Sequence, residues 1–334
     1  MLLFGAFKKI ICLIISTYTL FVPFERQDLG TATQFSPPAS VFMAQSEGTP
    51  LIAAHRSGKG GSPENTLKAV KECVENSETP IDMFEIDIQI TLDGELVLYH
   101  SLFLDENSDA AEYFGKKNIP VFSKTYEDLY RLNMGEFFRS GSAYPYQGLR
   151  GDDIPDDLRL LKLSDFFDYL IAQGVAEDYL YSIEIKYPFP WGPSMVNKLY
   201  TILNDRNLTG RAVIGSYWAD VTNYIDKHYA GKLHRFASIM ECLELYSSYY
   251  FNEDLSGKDI PYAALSLPYY EDNGYFLAAK SGEAGFIDYM HQYGLSACYW
   301  TVNDKGDVAA LTAAGADVIM TDYPANVYSV INGG

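Results

Sequence analysis

The chain has 334 residues, of which 48% are hydrophobic and 21% are charged, a balance typical of a globular protein rather than a disordered one. Its 25 lysines and arginines stand against 44 aspartates and glutamates, a formal net charge of −19. This charge argues against nucleic acid and against anionic membrane surfaces as partners. An anionic substrate would be repelled unless local cations reversed the field at its site.

The N-terminus carries an apolar stretch at residues 10–22, preceded by Lys8 and Lys9. Its length is typical of an export signal and falls short of the about 20 residues that a membrane-spanning helix needs. We therefore expect residues 1–48 to be a signal peptide or an N-terminal membrane anchor with a polar tether, and a buried core helix is the alternative. The protein is expected to be secreted or extracytoplasmic, with membrane association through residues 10–22 if the segment stays attached.

From Thr49 onward, short apolar runs alternate with helical patterns. This alternation predicts an α/β fold with a parallel sheet, and the length of residues 49–334 favours a single-domain (β/α)8 TIM barrel. Residues 101–161 show no clear periodicity and are expected to form one long excursion over the barrel mouth. The candidate strands are 50–55, 83–91, 96–100, 179–186, 211–217, 235–240, 263–267, 295–302 and 317–321. The candidate helices are 63–76, 162–172, 194–206, 219–229, 283–293 and 305–314. Because nine runs compete for eight places, one of 235–240 and 263–267 is expected to be irregular or part of a helix.

Two histidines each close an apolar run: His55 ends "PLIAAH" and His100 ends "LVLYH". A TIM barrel places its catalytic groups at the C-terminal ends of its strands. Two imidazoles could serve there as base and acid, because histidine titrates near neutral pH. The alternative for each is a structural histidine at a strand end.

Charged side chains also lie inside the predicted strands, where they are costly unless paired, hydrated or bound to a metal. Glu85 and Asp87 are two residues apart in "FEIDIQ" and therefore share a face. Glu184 and Lys186 are spaced in the same way in "YSIEIK". Three carboxylates would suit a hard divalent cation such as Mg²⁺ or Ca²⁺. The alternative is an internal salt-bridge network with Lys186 and Arg56.

A glycine-rich loop follows His55, with Gly58, Gly60 and Gly61 able to let the backbone approach a ligand closely. Ser62 is the expected cap of the helix after it. An ordinary strand-to-helix loop would have the same composition, so this feature is weak evidence by itself.

Five blocks together identify a resemblance: "HRSGKGGSPENT", "FEIDIQITLDGELVLYH", "SIEIK", "YWTVND" and "ADVIMTDYP". Their order and approximate spacing resemble those of the glycerophosphodiester phosphodiesterase family over residues 50–326. The resemblance implies a (β/α)8 barrel that binds a divalent cation and hydrolyses glycerophosphodiesters to an alcohol and glycerol 3-phosphate. The roles that it implies are catalysis for His55 and His100, metal binding for Glu85, Asp87 and Glu184, phosphate binding for Arg56 and Lys186, and lining of the substrate pocket for Trp300.

The chain departs from the family pattern at two positions. Ser57 stands where the family usually has glycine, and Ser101 stands where it usually has aspartate. If that aspartate orients His100, its loss would weaken a general acid–base step, which contributes about 10²–10⁴-fold to rate. We therefore expect a slower enzyme rather than an inactive one.

Two alternative functions remain at this stage. The aromatic, proline-rich segment 187–193 directly follows the run that bears Lys186, and favours a lysophospholipase D or sphingomyelinase D-like enzyme acting on lipids. Ser101 favours a catalytically silent barrel that binds a ligand, although the retained histidines and carboxylates argue against it. The expected partner is a small-molecule phosphodiester or a lysophospholipid, and not a nucleic acid.

Overall fold

The computed structural model of the protein describes Phe42, residues 49–269 and residues 281–333. The predicted signal or anchor at residues 10–22 lies outside the described residues. The secreted or extracytoplasmic location expected from it therefore stays a prediction. Of the helices in the described part of the chain, none is both long and apolar enough to cross a membrane.

Among the described residues, nine strands form one sheet, and eight of them run parallel in the order β6-β5-β4-β2-β1-β9-β8-β7. A bridge between Phe236, just after β6, and Ala264 in β7 brings the two ends of this sheet together. The sheet is therefore a nearly closed barrel of eight parallel strands with helices between them, which confirms the predicted (β/α)8 TIM fold. The strands are β1 (Leu51–Ala54), β2 (Met83–Ile90), β3 (Leu96–Leu98), β4 (Leu180–Ile185), β5 (Ala212–Gly215), β6 (His234–Arg235), β7 (Ala264–Pro268), β8 (Ser296–Trp300) and β9 (Val318–Thr321).

The ninth strand is β3, which pairs with β2 in antiparallel orientation and stands outside the barrel. The prediction that one of 235–240 and 263–267 would be irregular or part of a helix holds for 235–240, which keeps only Arg235 of β6 and runs into a helix at Ile239. Both β6 and β7 nevertheless take places in the barrel, so neither is the run left over from the eight. A tight turn at Gly94, whose φ is +86°, folds the chain back from β2 into β3. The sequence pattern cannot distinguish such a hairpin arm from a barrel strand.

Ten α-helices lie in the described part of the chain, and six of them match the predicted helices. Two further helices of eight or more residues, which follow β6 and β9, were not predicted. The helices are α1 (Leu67–Glu75), α2 (Ala110–Tyr113), α3 (Tyr126–Leu129), α4 (Leu163–Ala172), α5 (Trp191–Asn204), α6 (Ala219–Tyr229), α7 (Ile239–Tyr250), α8 (Ala284–Gln292), α9 (Lys305–Ala314) and α10 (Pro324–Ile331).

Helix α1 begins later than predicted. Its cap is Thr66, whose hydroxyl accepts a hydrogen bond from the amide of Ala69 at 3.3 Å. The predicted cap at Ser62 is wrong because Asn65 has a φ of +56°, a left-handed conformation through which a right-handed helix cannot run.

The segment 101–161 is a single long excursion, as predicted, but it is an ordered insertion with a hydrophobic core of its own. It contains α2, α3 and several single turns of 3₁₀ helix. The buried residues of this second core are Val97, Tyr99, Leu104, Ala110, Ile119, Val121, Leu129, Leu132, Met134 and Leu160.

Each barrel strand has one face toward the surrounding helices and one toward the barrel axis, because side chains alternate along a strand. At the N-terminal ends of the strands the inward residues form an apolar layer, in which Phe42 is fully buried and contacts the ring of His234. The strand residues of this layer are Ala53, Met83, Leu180, Val213, Ala264, Cys298, Val318 and Met320.

Toward the C-terminal ends, the inward positions become polar. On β2 the inward residue Met83 is followed by Glu85 and Asp87, and on β4 Leu180 leads to Glu184. The two-residue spacing keeps all of these side chains on the inward face. The apolar residues come first along each strand, so the charged groups lie at the other end of the barrel.

Candidate functional site

The acidic residues predicted as metal ligands converge. Glu85 and Asp87 come from β2, and the pairing of β2 with β4 sets Asp87 opposite Glu184. One carboxylate oxygen of each residue lies within 4.8 Å of the other two. Asp87 is 1% exposed and Glu85 is 5% exposed, so two of these three carboxylates are withdrawn from water.

The ion-pair network that the sequence offered as an alternative is present at the same place. Lys186 Nζ lies 3.2 Å from Asp87 Oδ1 and 3.0 Å from Glu184 Oε1. Arg56 Nε lies 3.8 Å from Asp87 Oδ2, and its guanidinium also pairs with Glu64 at 3.0 Å. The two cations therefore lie among more carboxylates than they can neutralise, and the cluster keeps an excess of negative charge.

The pKa values of the two β2 carboxylates show that this excess charge falls on Glu85 rather than on Asp87. Burial raises the pKa of Glu85 well above its usual value, and repulsion from Asp87 raises it further. Burial would also raise the pKa of Asp87, but the positive charges of Lys186 and Arg56 and the nearby His100 hold it below its usual range. Glu85 is thus the group whose charge is least compensated, so a proton or a bound cation there would stabilise the cluster.

His55 lies beside this cluster and is held by a carboxylate. Its Nδ1 is 2.6 Å from Asp322 Oδ1, and its Nε2 is 4.0 Å from Glu85 Oε2. An ionised carboxylate can only accept, so Nδ1 carries the proton and Nε2 faces the acidic cluster. Burial lowers the pKa of His55, and the hydrogen bond to Asp322 opposes that effect.

Asp322 was not predicted as a site residue. It comes directly after β9, and its position is held by Asn303, whose Nδ2 donates to Asp322 Oδ2 at 3.0 Å. The same signal that identified His55 and His100, a polar residue at the end of an apolar run, would have identified Asp322. A second unpredicted neighbour, Asn65, donates to Asp87 Oδ2 at 3.0 Å.

His100 has a different environment from His55. Burial lowers its pKa to about 3, although the negative charge of Asp87 opposes the shift. The two imidazoles are close enough for His55 to depress this pKa as well. Among the described residues, Nδ1 of His100 has no hydrogen-bond partner. Ser101, in place of the family's aspartate, accepts instead from Asn107 Nδ2 at 3.0 Å.

The glycine-rich loop packs against the strand end that carries Asp322. A Cβ added to Gly60 would lie 2.5 Å from the carbonyl oxygen of Asp322, and the Gly60 amide donates to that oxygen at 3.0 Å. Only glycine fits so close an approach. The loop therefore fixes the position of the backbone that bears the partner of His55.

Arg56, Ser57 and Gly58 all have positive φ, at +50°, +62° and +88°. This conformation aims the Arg56 amide at Glu85 Oε2, to which it donates at 2.8 Å. Non-glycine residues in the left-handed region are strained, and such strain is concentrated at functional sites.

Trp300, the residue predicted to line the substrate pocket, ends β8 and is partly buried against the apolar inward layer. Its role in substrate binding stays a prediction. A cavity of about 520 Å³ lies at the opposite end of the barrel, with Asp82 and Leu180 among its lining residues. That cavity contains none of the predicted site residues.

The Glycerophosphoryl diester phosphodiesterase family matches residues 55–326 of this chain. A glycerophosphodiester phosphodiesterase from Caldanaerobacter subterraneus is 26% identical over 286 residues, which cover 85% of this chain and 98% of that protein. Glycerophosphodiester phosphodiesterase 1 from mouse is 30% identical over 145 residues, which cover 43% of this chain and 40% of that protein.

Solved structures share the fold. The glycerophosphoryl diester phosphodiesterase domain of an uncharacterised Mycobacterium tuberculosis protein has a TM-score of 0.66 at 20% identity, and the match covers 84% of this chain and 98% of that one. A phosphodiesterase from Oleispira antarctica, in complex with the product sn-glycerol-3-phosphate, has a TM-score of 0.62 at 17% identity, and the match covers 85% and 97%.

Proposed function

The chain belongs to the glycerophosphoryl diester phosphodiesterase family and is a hydrolase of phosphodiesters, and on this premise we propose that it uses a divalent cation and two histidines to convert glycerophosphodiesters to an alcohol and glycerol 3-phosphate. The observation that carries the proposal is the convergence of three carboxylates beside two imidazoles. The product bound by the Oleispira antarctica relative supports this choice of substrate class.

Glu85, Asp87 and Glu184 fit a hard divalent cation, Mg²⁺ or Ca²⁺, because all three offer carboxylate oxygens within 4.8 Å of one another. Two of the three are buried, and the raised pKa of Glu85 marks negative charge that the protein alone leaves poorly compensated. A cation bound there would offset the negative charge of a phosphate group. Arg56 and Lys186, on the rim of the same cluster, would bind the phosphate oxygens.

His55 is proposed as the general base. Asp322 accepts from its Nδ1, so Nε2 keeps its lone pair on the side of the acidic cluster. The proton that it removes belongs to water, or to the glycerol hydroxyl of the substrate, which would give a cyclic phosphate that water then opens to glycerol 3-phosphate. His100 would then protonate the departing oxygen. Because a bound phosphate is an anion, it would raise the low pKa of His100 toward the range in which it can donate.

The decisive experiment measures hydrolysis of glycerophosphocholine before and after chelation of divalent ions, with Mg²⁺ and Ca²⁺ then added back separately. We expect chelation to stop turnover and one of the cations to restore it. His55→Ala should lower kcat by about 10²-fold or more. His228→Ala, at an exposed position on α6, is the matched control and should keep the wild-type rate. Turnover that survives chelation, or that is unchanged in His55→Ala, would contradict the proposal.

The cation site has a test that does not depend on turnover. A cation that binds only the folded chain raises its stability, by about 2.7 kcal/mol at a hundred times Kd. We expect Mg²⁺ or Ca²⁺ to raise the Tm of the chelated wild-type protein and to have no such effect on Asp87→Asn. Asp82→Asn, a carboxylate outside the site that accepts from the Ile52 amide at 2.8 Å, should retain the response.

A second candidate function is hydrolysis of a lipid phosphodiester, as in a lysophospholipase D or a sphingomyelinase D. The observation that favours it is Phe189, which is 74% exposed in the loop directly after β4. Tyr187 and Trp191 on either side of it pack against Phe122, with ring centroids 5.3 and 4.5 Å apart. The loop is thus held on the barrel rim while Phe189 projects from it, beside the strand that carries Glu184. An acyl chain could cover this side chain.

The ratio of kcat/KM for lysophosphatidylcholine to kcat/KM for glycerophosphocholine distinguishes the two substrate classes. If lipid is the substrate, Phe189→Ser should lower kcat/KM for lysophosphatidylcholine about 10-fold, because a buried phenylalanine contributes about 1.5–3 kcal/mol. Hydrolysis of glycerophosphocholine should not change. Ile171→Ser, which exposes 47% of its side chain at the far end of α4, is the control. Wild-type protein that does not hydrolyse lysophosphatidylcholine would exclude this candidate.

A further inference from the structure

The inward face of β2 carries a third polar residue beyond the two carboxylates. Gln89 follows Asp87 by two residues and Glu85 by four, so all three side chains share one face. Gln89 is 1% exposed, and its amide has two N–H donors and one carbonyl acceptor that burial removes from water. A buried polar group of this kind is costly unless its partners lie within the protein.

Both donors of Gln89 bind the backbone around His100. Nε2 donates to the carbonyl oxygen of Tyr99 at 2.9 Å and to the carbonyl oxygen of Ser101 at 2.8 Å. These two carbonyls belong to the residues immediately before and after His100. The amide of Gln89 therefore fixes the peptide groups on both sides of the imidazole-bearing residue.

The acceptor of Gln89 is satisfied as well. The hydroxyl of Tyr187 donates to Gln89 Oε1 at 2.5 Å. A flipped amide would point its oxygen at the two carbonyls of Tyr99 and Ser101, which cannot donate, so only one orientation satisfies every group. Tyr187 follows Lys186, and the cluster thus connects β2, the end of β4 and the loop that bears His100.

This backbone support matters because the ring of His100 has no other support of the kind seen at His55. His55 is oriented by the carboxylate of Asp322 on Nδ1. Nδ1 of His100 has no hydrogen-bond partner among the described residues. The His100 ring therefore lacks a carboxylate like Asp322, and its position depends more on the backbone that Gln89 binds.

We propose that Gln89 is a positioning residue for His100 and that Tyr187 sets the orientation of the Gln89 amide. The inference rests on the proposed role of His100 in hydrolysis. Displacement of a catalytic group by about 1 Å can lower a rate about 10²-fold, even when substrate binding is unaffected. The expected effect of losing the Gln89 hydrogen bonds is therefore on kcat rather than on KM.

The test compares variants that remove one or more of these hydrogen bonds. Gln89→Met keeps the length of the side chain and removes all of its hydrogen bonds, and we expect kcat for glycerophosphocholine to fall about 10–100-fold with KM within about 3-fold. Tyr187→Phe removes the donor to Oε1 but keeps both hydrogen bonds of Nε2, and it should give a smaller loss of the same kind. Tyr181→Phe is the matched control. Its buried hydroxyl donates to the Ala176 carbonyl at 2.6 Å, outside the site, and kcat should not change.

A spectroscopic signature accompanies the kinetics. The chain has five histidines, few enough for their imidazole nitrogen resonances to be assigned by single substitutions. In Gln89→Met the His100 resonances should shift or broaden while those of His55 stay in place. A change that merely destabilised the fold would not single out one imidazole.

Two outcomes separate this inference from the proposed function. If His100→Ala loses activity while Gln89→Met keeps kcat within about 2-fold of wild type, or falls no further than Tyr181→Phe, the positioning role is overturned. If His100→Ala itself retains wild-type kcat, the proposed function has failed and the inference fails with it. Should Gln89→Met not fold, the comparison of Tyr187→Phe with Tyr181→Phe decides, because both lose a single tyrosine hydroxyl.

Discussion

Asp322 Oδ1 lies 2.6 Å from His55 Nδ1, although 267 residues separate the two along the chain. The contact joins the end of β9 to the end of β1, which are neighbours in the barrel. It selects the His55 tautomer with a proton on Nδ1 and leaves Nε2 free on the side of Glu85. A carboxylate behind an imidazole in this way fixes the ring and stabilises its protonated form.

Asp322→Asn should therefore impair the chemical step. An amide at this position can donate to Nδ1 and favour the wrong tautomer, so we expect kcat to fall about 10–100-fold, with a smaller change in KM. Asp317→Asn is a matched control, because Asp317 Oδ2 makes a similar contact, 2.8 Å long, with His291 Nε2 away from the site. The control should lose stability and keep kcat. Equal kcat values in the two variants would contradict the role of Asp322.

The partly buried His100 should make stability depend on pH. Its pKa is lowered to about 3 by burial, whereas histidine in an unfolded chain titrates near about 6.5. Between these values His100 binds a proton more readily in the unfolded state, so its contribution to the free energy of unfolding should rise with pH up to about 6.5. Burial lowers the pKa of His55 too, which adds a slope of the same sign. The raised pKa of Glu85 contributes a slope of the opposite sign, so the effect of His100 is measured as a difference between variants.

Urea unfolding of the chelated protein between about pH 4.5 and 6.5 measures this slope. His100→Asn should reduce it, and His228→Asn, at an exposed position, should leave it as in the wild type. A slope that is the same in both variants would mean that His100 titrates in the folded protein as it does in the unfolded chain.

The protein should be more stable with glycine at position 57 than with the natural Ser57. Its φ is +62°, and its buried hydroxyl has no hydrogen-bond partner in the described part of the chain. A left-handed conformation costs a non-glycine residue about 1–2 kcal/mol, and the greater freedom of glycine in the unfolded state cancels about 0.4–1 kcal/mol of the gain. We expect Ser57→Gly to raise the free energy of unfolding by about 0.5–1 kcal/mol.

Ser62→Gly is the control for this substitution. Ser62 also has a buried hydroxyl without a described partner, but its φ is not in the left-handed region. Glycine there should lower stability through the unfolded state. If thermal or urea unfolding shows that both variants move in the same direction, backbone strain at Ser57 does not explain the result.

Phe42 should contribute to the stability of the barrel although it precedes β1. The side chain is fully buried among the inward apolar residues, and its ring lies 5.6 Å from that of His234. We expect Phe42→Ala to cost about 3–5 kcal/mol by urea unfolding, the usual effect of removing a buried phenylalanine. Phe137→Ala, at a 47% exposed position in the insertion, should cost far less. Similar losses in the two variants would show that Phe42 does not pack in the barrel in solution.

The sequence alone predicted most strands and the composition of the acidic cluster, because both depend on local spacing. Alternation along β2 puts Glu85 and Asp87 on one face whatever the rest of the fold does. Regular helices such as α6 and α9 were predicted with their observed limits, since their apolar residues recur at helical spacing. The sequence did not predict the bounds of β6 or the place of β3, because both depend on pairing with other strands. β6 has only two residues, and β3 differs from a barrel strand only in its antiparallel partner.

The contacts between distant segments are decided only by the tertiary structure. The register of β2 with β4, which sets Asp87 opposite Glu184, arises from packing over the whole barrel. The partner of His55 and the support of His100 were missed for the same reason, because Asp322 and Gln89 acquire their roles only when strand ends meet. Spacing along one strand determines which side chains share a face, whereas closure of the barrel determines which faces meet. For this reason the residue types of the site could be predicted from the sequence, whereas their hydrogen-bond partners could not.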